Sequence, residues 1–164
     1  MDLSDEQLLE IAQVSLTRLD GAWFMALAKE LGVETAWNID IEAWKQFSYV
    51  FGKKIRKDYM PNPTWPDSFL EAMEIFAKIM KVEGREVTTD GGVITFRVTD
   101  CEIQKAISKA GVADCGIATL QSYEGVARGL FGKDMEISTE HTKNLNQGDE
   151  YCEVVVSKQV AQDR

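Results

Sequence analysis

The sequence predicts an α+β fold, in which an N-terminal helical lobe packs on a small antiparallel sheet with ββααββ order. Apolar residues recur at helical spacing in the first half of the chain, whereas they alternate along the segments that follow. The dipeptide Asp90-Gly91 separates two alternating segments, 85–89 and 92–99, and is typical of a β-hairpin. We therefore expect a helical lobe over 1–81 and a ββααββ lobe over 82–164, joined in one compact unit.

Five sequence signals divide the first lobe into four predicted helices. Ser4 followed by Gln7 is a capping-box pattern, and Asp20-Gly21 predicts a break or a kink after the first helix. A second helix is expected to end at Gly32, a third to begin at Asp40 and a fourth at Pro66. The aromatic residues of this lobe are expected to form its core; they are Trp23, Phe24, Trp37 and Trp44.

The second lobe continues with two helices and two strands. The helices are predicted over 102–109 and 116–131, and the strands over 135–141 and 151–157. Because side chains alternate between the two faces of a strand, His141 and Cys152 should both point towards the core. With a short loop between the strands, the two residues should be near neighbours across the pair.

Charge and hydropathy exclude several classes of protein. The net charge of -9 disfavours binding to a phosphate backbone, and the basic run Lys53–Lys57 is interpreted as a solvated helix face. No apolar run approaches the ~20 residues that a bilayer helix needs. The acidic N-terminus is unlike a signal peptide, which predicts a cytoplasmic protein. A homo-oligomer is compatible with the sequence.

The candidate site lies after residue 100, where all three cysteines and the only histidine are found. Cys101 and Cys115 are predicted at helix N-termini, where the helix dipole favours a thiolate, although the adjacent aspartates oppose this effect. With His141 and Cys152 they form a ligand set suited to zinc or iron. The alternative is that the thiols are buried and act as small hydrophobic groups.

Two further residues bear on chemistry. Glu124 falls within the apolar stripe of the helix after Cys115. A buried carboxyl group there needs a partner or takes a raised pKa. The alternative is that the helix is rotated slightly, which places Glu124 at the solvent-exposed edge of the stripe. Cys115 precedes Gly116, whose missing side chain is expected to leave open space beside the sulfur. Cys115 is therefore predicted to be the most reactive of the three thiols.

Scattered positions along most of the chain resemble a little-characterised prokaryotic family. They are Asp20-Gly21-Ala22-Trp23-Phe24, Gly32-Val33-Glu34, Asp40-Ile41-Glu42-Ala43-Trp44, Phe96-Arg97-Val98-Thr99-Asp100-Cys101, Gln104, Ala106, Gly111, Cys115-Gly116 and Gly148-Asp149-Glu150-Tyr151-Cys152. The second half is similar to proteins known as L-2-amino-thiazoline-4-carboxylate hydrolases, which open a thiazoline ring. The resemblance implies a site lined by Cys101, Cys115 and Cys152. Such proteins often carry further cysteines near the third strand, where Thr139-Glu140-His141 stands in this sequence. The resemblance therefore implies either that His141 replaces a cysteine ligand or that no metal is bound. The order of elements also resembles the vinyl-reductase-type domains that bind small molecules.

Three functions follow as expectations. The first is a protein that binds a metal or a small-molecule ligand through its C-terminal half. The second, implied by the resemblance, is a C–N bond hydrolase of a small cyclic sulfur-containing substrate. In that enzyme Cys101 or Cys115 would be the nucleophile or a metal ligand, and Glu124 or His141 the general acid and base. The third is an interaction module whose cysteines belong to the core.

Overall fold

The computed structural model describes residues 2–82 and 84–159. It confirms the α+β class and the ββααββ order, with five α-helices and a four-stranded antiparallel sheet in the described residues. The elements are α1 (Asp5–Leu31), α2 (Val33–Asp58), α3 (Asp67–Ile79), β1 (Arg85–Asp90), β2 (Val93–Val98), α4 (Glu102–Lys109), α5 (Gly116–Phe131), β3 (Ile137–Lys143) and β4 (Cys152–Lys158), with a single 3-10 turn at Leu145–Gln147.

The first two helices are longer than predicted. The capping box at Ser4 is present, and Gly32 ends α1 with a φ of 85°. The predicted break at Asp20-Gly21 is wrong, because α1 continues through it; a glycine inside a helix costs only about 1 kcal/mol, which the other turns absorb. The predicted start at Asp40 is also wrong, since α2 begins at Val33 and Asp40 lies buried in its interior.

Helices α2 and α5 pack side by side and run in the same direction. A Cβ atom added to Gly125 would lie 2.9 Å from the Cβ of Ser48, and one added to Gly129 would lie 2.9 Å from the Cα of Gly52. Both spacings are too short for real Cβ atoms, so the two backbones touch at these glycines. The contact advances four residues on each helix from the first pair to the second, which fixes the parallel direction.

The strands are ordered β1-β2-β4-β3 across the sheet. The hairpin is confirmed, with Gly91 and Gly92 as its two turn residues, both at positive φ. Strand β3 begins two residues later than predicted and extends past His141 to Lys143. His141 pairs with Val154, so it shares the face of Val154 and Cys152, as predicted.

A single large core joins elements from both halves of the sequence. Its buried side chains come from α2, α3, α5 and the strands, and include Ile55, Phe69, Phe96, Tyr123 and Val154. Among the predicted core aromatics, Phe24 is buried in a smaller cluster with Ala36 and Val112, whereas Trp37 and Trp44 are half-buried.

Helix α1 contributes Phe24, Leu27 and Ala28 to the smaller cluster, whereas none of the described residues of the large core comes from it. The prediction for Trp23 is wrong, because this side chain is 63% exposed. Several other large apolar residues of α1 are also exposed; they are Leu8, Leu9, Ile11, Val14, Leu19, Met25 and Leu31. Within the described residues, no helix combines the length and the apolar character that crossing a bilayer requires.

Candidate functional site

The predicted site residues lie where α4, α5, β3 and β4 meet. Cys101 and Cys115 are the N-cap residues of α4 and α5, and Cys152 is the first residue of β4. All three cysteines are free. Together with His141 on β3, they are called here the cysteine cluster.

The turn at Asn144, Leu145 and Asn146 links the three thiols. The Leu145 N–H donates to the Cys152 Sγ at 3.3 Å, and the Asn144 Oδ1 lies 4.0 Å from the Cys115 Sγ. Gln104 completes the link: its backbone N–H donates to the Cys101 Sγ at 3.4 Å and its side chain donates to Asn146 Oδ1 at 2.7 Å. This one turn therefore contacts two of the sulfurs directly and is linked to the third through Gln104.

Asn144 is the anchor of this turn, and sequence reasoning missed it. It is only 5% exposed. Its side-chain amide donates to Asp114 Oδ1 at 2.8 Å, and its backbone N–H donates to Asp149 Oδ2 at 2.6 Å. Asp114 Oδ1 also accepts from the Gly116 N–H at 2.7 Å, which caps α5. The spacing of Asn144 and Asn146 is the one sequence signal of such a turn.

His141 packs directly against the first turn of α5. A Cβ atom added to Gly116 would overlap the His141 Nδ1 and lie 3.2 Å from its Cε1. The expectation of open space beside Gly116 is therefore wrong, because the imidazole fills it. The other ring nitrogen, Nε2, is buried and has no hydrogen-bond partner among the described residues.

Burial governs the protonation of the cluster. It raises the pKa of Cys115 to about 12, with smaller contributions from Cys152, Cys101 and Asp114. It also raises the pKa of Cys101 and of Cys152. Burial lowers the pKa of His141, and this effect is larger than that of the negative charges of Asp114 and Asp149, which raise the pKa. At neutral pH the cluster therefore carries uncharged thiols and an uncharged imidazole.

Two predictions about reactivity change with this result. The helix dipole does not produce thiolates here, because the loss of water outweighs the effect of a helix N-terminus. The basis for ranking Cys115 as the most reactive thiol is also wrong, since its side chain is only 7% exposed. Access favours Cys101 and Cys152, which are both half-buried.

Glu124 lies on α5 and has a hydrogen-bond partner on β3. The Thr139 hydroxyl donates to its Oε1 at 3.2 Å. Thr139 is two residues before His141 on β3, so both side chains lie on the same face of the strand. The half-buried position of Glu124 agrees with the alternative that placed it at the edge of the apolar stripe.

The cluster does not form a ready-made metal site. Across residues 2–82 and 84–159, no three or more histidine, cysteine, aspartate or glutamate side chains are arranged to hold an ion. Zinc and iron bind thiolates, so a metal would have to displace the protons that burial holds on these thiols. A zinc or iron site at the cluster stays a prediction.

The fold places the protein in the α+β class. Over residues 1–149, the chain belongs to a family described as "Family of unknown function (DUF6125)". No curated protein matches the sequence.

Two solved structures share the fold. One is a trafficking protein particle complex subunit 3 from Naegleria fowleri, covalently bound to palmitic acid. It is 15% identical, with a TM-score of 0.58, and the match covers 94% of this chain and 99% of that one. The other is the phenol-responsive sensory domain of the transcription activator PoxR with phenol, 13% identical, with a TM-score of 0.52, covering 89% of this chain and 73% of that one. These identities establish likeness of fold alone.

Proposed function

We propose that this protein binds a small, uncharged molecule at the cysteine cluster. The observation that carries the proposal is the buried Nε2 atom of His141, which lacks a hydrogen-bond partner in the described part of the chain. A buried polar atom without a partner costs about 1–3 kcal/mol. A ligand that donates a hydrogen bond to this atom would recover that energy on binding.

The chemistry of the surroundings indicates what kind of ligand fits. The three thiols and the imidazole are uncharged and weakly polar, and the carboxylates near them, Asp114 and Asp149, are hydrogen-bonded to Asn144. Such a site favours an aromatic or aliphatic group with one hydroxyl or N–H donor over an ion. The two proteins that share the fold bind phenol and palmitate, which supports a small and largely apolar ligand.

Catalysis is less well supported than binding. A ring-opening hydrolase would need Cys101 or Cys115 as a thiolate at neutral pH. The raised pKa of both thiols weighs against that role, because only a minute fraction of either would be ionised. The small-ligand function needs no thiolate and no metal.

The test uses phenol as the probe and amide NMR signals as the readout. Phenol should shift the signals of Cys101, Cys115, His141 and Cys152. The variant His141→Leu removes the hydrogen-bond acceptor and should weaken phenol binding about tenfold, the value of one hydrogen bond. The control is Glu140→Leu, which introduces the same side chain at the exposed neighbouring position of β3.

Three results would contradict the proposal. Phenol could shift signals only outside the cluster, or the two leucine variants could lose binding equally. A titration with Zn²⁺ that gave stoichiometric binding and displaced phenol would favour the metal-binding function instead.

A further inference from the structure

A second site lies at the opposite end of the α2–α5 pair. There a cavity of about 480 Å³ opens between the C-terminal ends of the two helices. Five basic side chains line it, and none of its lining residues is acidic. They are Lys53, Arg56 and Lys57 from α2, Arg128 from α5, and Lys133 just beyond α5. Such a concentration of cations is unexpected in a chain with a net charge of -9.

The close contact of the two helices brings these cations together. A Cβ atom at Gly129 would lie 2.8 Å from the Lys53 backbone nitrogen, so side chains that leave α2 and α5 here share one groove. The Arg128 Nε donates to the Lys133 carbonyl at 3.2 Å. This bond orients the guanidinium and leaves its terminal nitrogens available. Gly132, at the end of α5, lies beside the guanidinium of Arg56.

The five charges are not neutralised within the described chain. None of them lies within ion-pair distance of a carboxylate in residues 2–82 or 84–159. Their neighbour Lys54 is different, because it pairs with Asp58 at 2.6 Å. The basic run of α2 therefore divides into one paired lysine and three cations that face the cavity.

Compensation of the helix dipoles explains only part of this arrangement. Cations in the last turn of a helix stabilise its negative end, which accounts for Arg56, Lys57 and Arg128. The effect falls off within one turn. Lys53 lies before the last turn of α2, and Lys133 lies beyond the end of α5. The Lys53 ammonium lies 5.6 Å from the centre of the Tyr49 ring, which is a cation–π contact. Lys133 therefore needs another reason to be where it is.

We propose that this cavity binds the phosphate group of a small phosphorylated compound. Arginine guanidinium groups match phosphate oxygens in pairs, and lysines add point charges around them. The volume is within the usual range of small-molecule sites, ~300–1,000 Å³. Helix α5 separates this cavity from the cysteine cluster by roughly 24 Å, at ~1.5 Å per residue. The inference is thus independent of the function proposed for that cluster.

The experiment measures binding of inorganic pyrophosphate by calorimetry. The test variant is Lys53→Gln with Arg56→Gln. The matched control is Arg18→Gln with Lys29→Gln, which removes one arginine and one lysine from α1. These two side chains are also exposed, and neither forms an ion pair in the described chain. The test variant should lose affinity about tenfold or more, whereas the control should bind like the parent protein.

A second arm distinguishes a soluble phosphate from a lipid headgroup. Vesicles of phosphatidic acid in phosphatidylcholine are sedimented with the parent protein and with both variants. If the protein sediments with the vesicles and this depends on Lys53 and Arg56, the phosphate belongs to a lipid headgroup. If the protein binds pyrophosphate but does not sediment with the vesicles, the phosphate belongs to a soluble compound.

Several results overturn the proposal. They are failure to bind either probe, equal loss of binding in both variants, and tighter binding of a single-stranded oligonucleotide than of pyrophosphate through the same two residues.

Discussion

Polar groups are buried at one end of the α2–α5 pair and exposed to solvent at the other. At the N-terminal end, Asp40 on α2 and Cys115 at the start of α5 are each only 7% exposed. Burial raises the pKa of both groups and favours their uncharged forms. At the C-terminal end, the cations of the basic cavity are exposed and keep their charge. The same two helices thus end in a buried site whose thiols and imidazole are uncharged and in an exposed cationic one.

The difference shows that solvent access, rather than the helix dipole, decides charge at both ends. A helix N-terminus should favour a thiolate at Cys115, yet desolvation is the larger effect. At the C-terminal ends, water supports five like charges beside one another. Four predictions test this comparison.

The largest effect is expected where the two helices touch. The variant Gly129→Ala places a Cβ atom against the backbone of α2, which cannot move aside as a side chain would. We expect a loss of about 3 kcal/mol in the free energy of unfolding, measured by urea denaturation. The control is Gly21→Ala, at which nothing lies within 4 Å; it should be neutral or stabilising by up to ~1 kcal/mol. Equal stability of the two variants would show that α2 and α5 are not in backbone contact.

Alkylation at neutral pH should rank the thiols by burial. Cys115 should react last, about 100-fold more slowly than Cys101 or Cys152, because both its exposure and its thiolate fraction are the lowest. Peptide mapping gives the three rates, and a Cys115→Ala variant confirms the assignment of the slow one. Fastest labelling at Cys115 would restore the ranking expected from the sequence.

The pH dependence of stability should report on Asp40. Burial, with the nearby charge of Asp20, raises its pKa from 3.8 to about 7 in the folded protein. A carboxyl group with a raised folded pKa contributes stability at low pH that is lost between about pH 4 and pH 7. The variant Asp40→Asn should therefore match the parent near pH 4 and become progressively more stable than the parent as the pH rises towards 8. The exposed control Glu42→Gln should show no such difference, and a parent protein equally stable at both pH values would contradict the assignment.

The smallest effect concerns the packing of His141. In Gly116→Ala the new Cβ meets a side chain, so the imidazole can shift at a cost of about 1–2 kcal/mol. A displaced ring gains water, and its pKa should rise towards the ordinary value of 6.5. An NMR titration of the imidazole measures the change. An unchanged pKa would mean that burial by α5 is not what lowers it.

The sequence was sufficient for the fold class and for the faces of the strands. Alternation placed His141 and Cys152 on one face, and the register of β3 with β4 agrees. It was not sufficient for the helix boundaries, since the continuation of α1 past Gly21 depends on the whole helix rather than on one residue. The exposure of Cys115 could not be predicted either, because the space at Gly116 is filled by His141, which comes from β3 and is distant in sequence.

The basic cavity could not be predicted from the sequence either. The run 53–57 was correctly seen as a solvated helix face, but its meeting with Arg128 and Lys133 depends on the glycine contact between α2 and α5. No local pattern in either segment reveals that contact. Long-range packing therefore determines both sites.

The most direct test of this account is one NMR sample titrated first with phenol and then with pyrophosphate. Phenol should shift amide signals around Cys115 and His141 and leave those of Lys53, Arg128 and Lys133 unchanged. Pyrophosphate should do the reverse, without displacing phenol. If both probes shifted the same set of signals, or if neither bound, the division into a neutral and a cationic end would be wrong.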